Sequence, residues 1–349
     1  MSGQPDSSTS TIQEQAASDN EKDLESRAYD ALASVFEQHQ NSVEIEILPP
    51  ALTPTDGRLI VQDTPEAGKS FVGIPKKVLV LAFLRARDFF LRGRSAGNPA
   101  SEKALIATSV ILLYDPEYLT AANYRKQYLL QSASDPNDLY KQHLTRATSD
   151  EVKLLNTILC SPLHRQTKSP TLWHHRWWLF ETIVPQLQMT SIQWIYGSGR
   201  DLIESELMAI LNAAEKHPNN YYAWQYARRL FNSSFMTFAL RHESHRLNWS
   251  VLSNSLLDWC LSHPSDTSGW SFVLFLMIHR ESDPQTNFHL AFRVFNFAEN
   301  VGWRKEALWV FLRTVVSMPH LFPESKQRDI FDKFGQLSGV TIPIHSDEE

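Results

Sequence analysis

The sequence predicts an all-α fold in which helix pairs stack side by side over residues 101–317. Apolar residues recur there at steps of three and four, as on one face of a helix. Short breaks that carry Pro, Asn or Ser interrupt this pattern. A similar unit follows each break, centred in turn on Ala122, Trp173, Trp224 and Trp270, with a fifth and weaker unit at Trp309.

These units are roughly 40 to 50 residues apart, which is long enough for two helices and their connections. Tetratricopeptide units, at about 34 residues, are too short to fit. One unit cannot bury its apolar face alone, so several must stack into a curved array. We predict that the indoles fill the seams between neighbouring pairs, as core residues Trp173, Trp224, Trp270 and Trp309. The alternative is plain core filling in an unrelated helical domain.

The chain outside the repeats divides into three further regions. Residues 1–22 are polar and poor in aliphatics, so we expect them to be disordered. Residues 23–100 form an N-terminal extension with helices and a Pro-rich loop, and residues 318–349 a C-terminal helix and acidic tail. Within the extension we predict a helix from about Asp23, short extended segments at Ile45–Leu48 and Leu59–Gln62, and a helix from about Lys76 to Leu91.

Composition narrows the class of protein. The net charge of −6 argues against a nucleic-acid binder, which would carry a basic footprint. The two cysteines, Cys160 and Cys260, make no disulfide framework and no Cys-x-x-Cys, so we expect buried free thiols and a reducing compartment. The N-terminus shows no signal-peptide pattern, and no aliphatic run is long enough for a membrane span. We therefore expect a cytoplasmic protein.

Two segments carry a family resemblance. Residues 169–179 read SPTLWHHRWWL, and residues 217–230 read HPNNYYAWQYARRL. A Pro, a Trp and then Arg or Arg-Arg in this arrangement resemble the protein prenyltransferase alpha-subunit repeat. Residues 115–126 match with Ala122 in place of Trp. The placing of Pro170 resembles the divergent alpha-subunit-repeat branch associated with type III geranylgeranyltransferase.

The resemblance implies a right-handed α–α superhelix of antiparallel helix pairs that forms a crescent around a separate beta subunit. In that family the beta subunit carries zinc and the isoprenoid pocket, and zinc holds the substrate thiol as the nucleophilic thiolate. The chain is then a non-catalytic alpha-type subunit of a heterodimer that transfers a prenyl group, expected to be geranylgeranyl, to a protein with a C-terminal cysteine. No cofactor is expected in this chain itself.

The same resemblance assigns roles to particular residues. Lys168 stands where farnesyltransferase-like chains have a lysine that reaches toward the departing diphosphate, although Pro170 replaces the tyrosine that follows it there. Ala227 and Val273-Leu274 replace arginines of the repeat. The residues expected to face a partner or substrate are Arg125, Lys126, His174, His175, Arg176, Tyr221, Tyr222 and Arg228.

A second hypothesis keeps the fold but gives it an unrelated protein partner and no role in prenylation. Positive groups near Lys168 would favour prenyl transfer, and an uncharged groove would favour this general scaffold. A stand-alone enzyme is a third and weaker hypothesis, because no metal or nucleophile pattern is present. His174 and His175 point about 100° apart on a helix, and His242 and His245 have no third ligand at a useful spacing.

Overall fold

A computed structural model describes residues 7–38, 41–54, 56, 58–64, 69–95, 101–133, 138–196, 202–233, 249–279 and 282–339. The chain divides into two compact units, residues 1–217 and residues 218–349. Helices dominate both units, and the predicted all-α fold is confirmed. The first unit also contains a small sheet.

The first unit opens with a long helix and a three-stranded sheet. Helix α1 packs against α2, and both contact α3. Strand β3 lies in the centre of the sheet, parallel to β1 and antiparallel to β2. The backbone N–H of Val43 in β1 donates to Thr157 Oγ1 at 3.0 Å, which ties the sheet to α5. The elements are α1 (Ser7–Gln38), β1 (Val43–Leu48), β2 (Ile60–Thr64), β3 (Lys69–Pro75), α2 (Lys76–Ser95), α3 (Glu102–Tyr114) and α5 (Asp138–Leu159).

This N-terminal region differs from the prediction in two places. Helix α1 begins at Ser7 rather than near Asp23, so residues 7–22 are helical where we expected disorder. Gln, Glu and Ala are strong helix formers, and the run from Gln13 to Ala17 consists only of these. Two of the three strands coincide with the predicted extended segments. The third, β3, was missed because Gly73 and Pro75 lower its apparent strand propensity.

The rest of the first unit supplies two helix pairs and one further helix. In each pair we call the leading helix A and the second helix, which carries the repeat Trp or Ala122, B. Helices α3 and α4 form the first pair and α5 and α7 the second. Helix α9 follows them as a third A helix. The remaining helices of this unit are α4 (Leu119–Ala133), α6 (His164–Thr167), α7 (Pro170–Trp178), α8 (Met189–Tyr196) and α9 (Leu202–Lys216).

The second unit begins with a B helix, α10. Two helix pairs follow it, α11 with α12 and α13 with α14. A last helix packs against α13 and α14. The elements are α10 (Tyr221–Phe231), α11 (Trp249–Ser262), α12 (Thr267–Ile278), α13 (Pro284–Val301), α14 (Glu306–Val316) and α15 (Glu324–Ser338).

Side-chain caps fix where the B helices begin. Ser169, Asn220 and Asp266 each accept a hydrogen bond from the backbone N–H three residues later, which satisfies an amide that the helix leaves open. Asn219 adopts a left-handed φ of 57°. Its Oδ1 accepts from the Thr267 backbone N–H at 2.9 Å, so the start of α10 is tied to the start of α12.

The four repeat indoles are buried, between 1% and 9% exposed. Three of them donate from Nε1 to the carbonyl six residues earlier, at 2.8 to 3.1 Å, which holds the preceding loop against the helix; they are Trp173, Trp270 and Trp309. The fourth, Trp224, packs on Trp259 of α11 and Phe272 of α12, with ring centroids 5.2 Å away in both cases. In the second unit each indole therefore contacts an aromatic ring of the next helix pair or of α15.

We expect Trp173→Ala and Trp224→Ala each to lower the free energy of unfolding by about 3–5 kcal/mol, because each leaves a large cavity at a helix seam. Chemical denaturation of the purified chain measures this loss. Trp194→Ala is the matched control: its side chain is 61% exposed, and we expect a change within about 0.5 kcal/mol. Similar losses in all three variants would contradict the seam assignment.

Candidate functional site: the outer face of the B helices

The five B helices share one pattern of burial. We number positions from the repeat Trp, or from Ala122 in α4, as position 0. Positions −1, 0, +3 and +7 are buried in every B helix. Positions −3, +1, +4 and +8 are exposed or half-buried in every one. The second set forms one helix face, as the spacing of 3.6 residues per turn requires. We call it the outer face.

The outer face carries the residue types that are enriched in protein interfaces. It combines aromatic and aliphatic side chains with cations and few acids, whereas most of a protein surface is rich in Lys, Glu and Asp. The exposed fraction is 57% for Tyr221 and 62% for Leu119. The apolar and cationic members are Leu119, Lys126, Leu130, His174, Trp177, Tyr221, Arg228, Leu274, Ile278, Val310 and Arg313.

Three of the residues that we expected to face a partner lie inside the chain instead. Arg125 and Arg176 occupy position +3 and are 5% and 3% exposed, and His175 is 1% exposed. The resemblance does not distinguish position +3 from position +4. In the folded helix the two positions point about 100° apart, and +3 lies on the buried side with −1, 0 and +7.

Each buried arginine pairs with a glutamate of the next A helix. Arg125 donates from Nε to Glu151 of α5 at 2.9 and 3.0 Å. Arg176 donates from Nε and Nη2 to the two oxygens of Glu206 in α9, at 2.7 and 3.0 Å. Both pairs join successive helix pairs of the first unit. The partners were missed because a lone glutamate in an amphipathic helix resembles a solvated residue.

The Glu151 carboxylate also lies near His175, with Nε2 and Oε1 2.9 Å apart. Desolvation raises the pKa of Glu151, but the Arg125 charge and the contact with His175 outweigh it and lower this pKa to about 2. Burial lowers the pKa of His175 despite the carboxylate beside it. At neutral pH the network therefore holds an ionised carboxylate and an uncharged imidazole.

Lys168 lies in a separate cluster of the first unit, at the end of α6. The rings of His164 and His217 meet edge to face, with centroids 5.3 Å apart. Burial lowers the pKa of His217, which favours its uncharged imidazole, and the neighbouring His164 and Lys168 act in the same direction. We call these three residues the Lys168 cluster. Lys168 is the member that supplies positive charge for an anion.

On α10 the structure brings Tyr221, Tyr222 and Arg228 together. The two tyrosine rings are perpendicular, with centroids 5.5 Å apart, and both are exposed. Arg228 is half-buried and donates to Ser271 Oγ of α12 at 2.8 Å. Of the remaining expected residues, Lys126 is half-buried and His174 is exposed, both on the outer face.

A groove of about 740 Å³ opens between α14 and α15 in the second unit. Its lining includes the apolar side chains of Trp309, Phe331, Phe334 and Leu337 and the cations Arg304 and Arg313. Sequence reasoning did not predict it, because the contact between these two helices is set by tertiary packing.

Two further features concern chemistry and location. Among the described residues, no group of three or more His, Cys, Asp or Glu is placed to hold a metal ion, and His242 and His245 lie outside those residues. None of the helices in the described ranges is long and apolar enough to span a bilayer.

The two cysteines are free thiols, with Cys260 buried and Cys160 partly buried. Burial raises the pKa of the Cys160 thiol to about 11.

Comparison with known proteins finds relatives with prenyltransferase names. The chain is 26% identical over 187 residues to human "protein prenyltransferase alpha subunit repeat-containing protein 1", which covers 50% of this chain and 40% of that protein. It is 29% identical over 133 residues to "geranylgeranyl transferase type-2 subunit alpha" of Candida albicans, covering 38% of this chain and 32% of that protein. The predicted resemblance is confirmed.

Two more matches extend the comparison. A family model described as the ECM9 middle domain matches residues 178–296. Protein ECM9 of Saccharomyces cerevisiae is 23% identical over 215 residues, which is 61% of this chain and 50% of that protein. The chain thus matches half or less of the length of each relative named here.

We expect Arg176→Ala to lower the free energy of unfolding by about 3–5 kcal/mol, because it leaves Glu206 buried and unpaired. The double change Arg176→Met with Glu206→Leu removes both charges and should restore most of that loss. Urea unfolding of the three proteins makes the comparison. If Arg176→Ala left stability unchanged, Arg176 would not be an internal residue.

Acid should weaken the Glu151 network. The pKa of Glu151 is lower in the folded chain than in the unfolded one, so its contribution is present above about pH 4.5 and is lost as the pH falls toward 2. Protonation of the unfolded chain at His175 adds a loss that begins below about pH 6.5. Urea unfolding at pH 7, 5, 4 and 3 should show a shallower decline for Glu151→Gln than for the unaltered chain.

Proposed function

We propose that this chain is an alpha-type subunit of a heterodimeric protein prenyltransferase. In this role its B helices hold a zinc-bearing beta subunit and help to present a protein substrate with a C-terminal cysteine. The name of the Candida albicans relative supports geranylgeranyl as the transferred group. The outer face is the observation that carries the proposal. The same positions are exposed or half-buried in all five B helices, so the helix packed beside each of them leaves that face open.

The chemistry of this proposal is divided between two chains. The beta subunit supplies zinc and the isoprenoid pocket, and this chain supplies binding surface and positive charge. A prenyl diphosphate releases inorganic diphosphate as the bond to the substrate sulfur forms, and cations near the leaving oxygens stabilise that developing charge. The Lys168 cluster is the group of this chain that suits such a role, with Lys168 itself as the residue nearest in kind to the family's lysine.

Ala227 and Val273 stand where the family has arginines, which slightly favours the scaffold hypothesis if those arginines contact a partner. Both residues occupy position +3, which is buried in every B helix. Their apolar side chains therefore change the interior of the second unit and leave the outer face unaltered.

Co-expression with candidate prenyltransferase beta subunits tests the proposal. We expect one of them to co-purify in a stable complex that transfers a prenyl group to a protein cysteine. Lys168→Gln should leave the complex intact but slow transfer by on the order of tenfold or more, because a cation near the leaving group is lost. If no beta subunit co-purifies and no transfer is found, the proposed function is wrong.

Variants of the outer face separate binding from folding. Tyr221→Ala removes an exposed ring, so we expect it to weaken association by more than about 1 kcal/mol while the melting temperature stays nearly unchanged. Val251→Ala, an exposed residue of the A helix α11, is the matched control and should bind normally. Equal binding by both variants would exclude Tyr221 from the interface.

A further inference from the structure

Position +4 of the B helices carries two cations that are partly removed from water. Lys126 in α4 and Arg228 in α10 are half-buried, although both belong to the outer face. Partial burial removes part of the water that would otherwise stabilise each charge. Each cation is therefore held at a place where it costs free energy unless another group compensates for the lost water.

An aromatic ring of the next B helix supplies part of that compensation. Lys126 Nζ lies 5.4 Å from the centroid of the Trp178 ring in α7. The Arg228 guanidinium carbon lies 5.9 Å from the centroids of Phe272 and Phe275 in α12. A cation over a ring face at this distance is attracted by the ring electrons. Trp178 and Phe275 both occupy position +5, so the same arrangement recurs in the two units.

Neither Lys126 nor Arg228 is paired with a carboxylate in the described parts of the chain. Among described residues, no Asp or Glu oxygen forms a salt bridge with Lys126 or Arg228, whereas Arg125 and Arg176 are each paired with glutamate. Arg313, at position +4 of α14, is paired with Glu306. Arg228 uses two donors on Ser271 Oγ and Gln225 Oε1, at 2.8 and 3.4 Å. Its guanidinium has five donors, so a further acceptor can bind.

We propose that Lys126 and Arg228 are carboxylate anchors, each of which receives an Asp or Glu side chain of the beta subunit in the complex. The inference rests on the proposed function and specifies the chemistry of its interface. Ring contact fixes the position of both cations before binding, so less side-chain entropy is lost when the carboxylate arrives. A planar guanidinium suits bidentate pairing at Arg228, and a compact ammonium suits a single carboxylate oxygen at Lys126.

The burial of these cations distinguishes them from ordinary surface charges. A charge at the rim of an interface changes mainly the association rate and its dependence on salt, whereas loss of one member of a desolvated pair raises the dissociation rate. Burial also lowers the pKa of Lys126 and of Arg228, with Tyr221 opposing the shift at Arg228. A partner carboxylate would favour the charged form of both.

The test measures association and dissociation rates of the purified chain with the co-purifying beta subunit. Lys126→Met and Arg228→Met remove the charge but keep a long side chain against the rings. We expect each to raise the dissociation rate by at least about tenfold. Arg229→Met, at an exposed neighbour of Arg228, is the matched control, and we expect its dissociation rate to change less than about threefold.

Lys126→Arg keeps the charge and should retain most of the binding, which separates charge from packing. Thermal melting of each variant shows whether the fold is intact. If the unaltered chain binds a beta subunit and both Met variants dissociate at its rate, this inference is wrong while the proposed function stands. If the unaltered chain binds no beta subunit, the proposed function fails and the inference fails with it.

Discussion

Burial of positions −1, 0, +3 and +7 fixes the direction of every other side chain on a B helix. Successive residues are about 100° apart, so these four positions span one side of the helix and positions +1, +4 and +8 point away from it. Each surface of the chain that concerns a partner follows from this constraint. It separates Arg176, which binds Glu206 inside the molecule, from Arg228, which lies half-buried on the outer face.

The buried +3 position is filled by different kinds of side chain in the two units. In the first unit the buried +3 position holds Arg125 or Arg176, each paired with a glutamate of the next A helix. In the second unit it holds Ala227, Val273 or Leu312, among aromatic rings. Apolar residues can replace a buried ion pair with little loss of stability, because the pair must offset its own desolvation. A buried ion pair, however, requires both partners at the correct distance, because either one alone would be an unpaired buried charge. The first unit therefore specifies the packing of its helices by paired charges, and the second unit packs the same helical pattern with apolar side chains.

Sequence alone predicted the features that depend on local periodicity. The helix pairs and the buried indoles of the repeats follow from spacing and from residue type. Features that depend on contacts between distant segments could not be predicted. The glutamate that pairs with Arg125 lies 26 residues away, and nothing in the pattern of α5 marks it as buried. The same reason hides the grouping of His164 in α6 with His217, which directly follows α9.

The division between inner and outer positions changes how divergence in such repeats is interpreted. An arginine lost at +3 together with its glutamate alters the interior, and the surface offered to a partner is kept. A cation lost at +4 alters that surface and costs the fold little, because solvent or a ring replaces the missing contact. Lys126 and Arg228 therefore carry more information about a partner than Arg125 and Arg176 do, although all four match the arginine motif. The direction of a side chain, set by the buried side of its helix, decides which residues of the motif can report on binding.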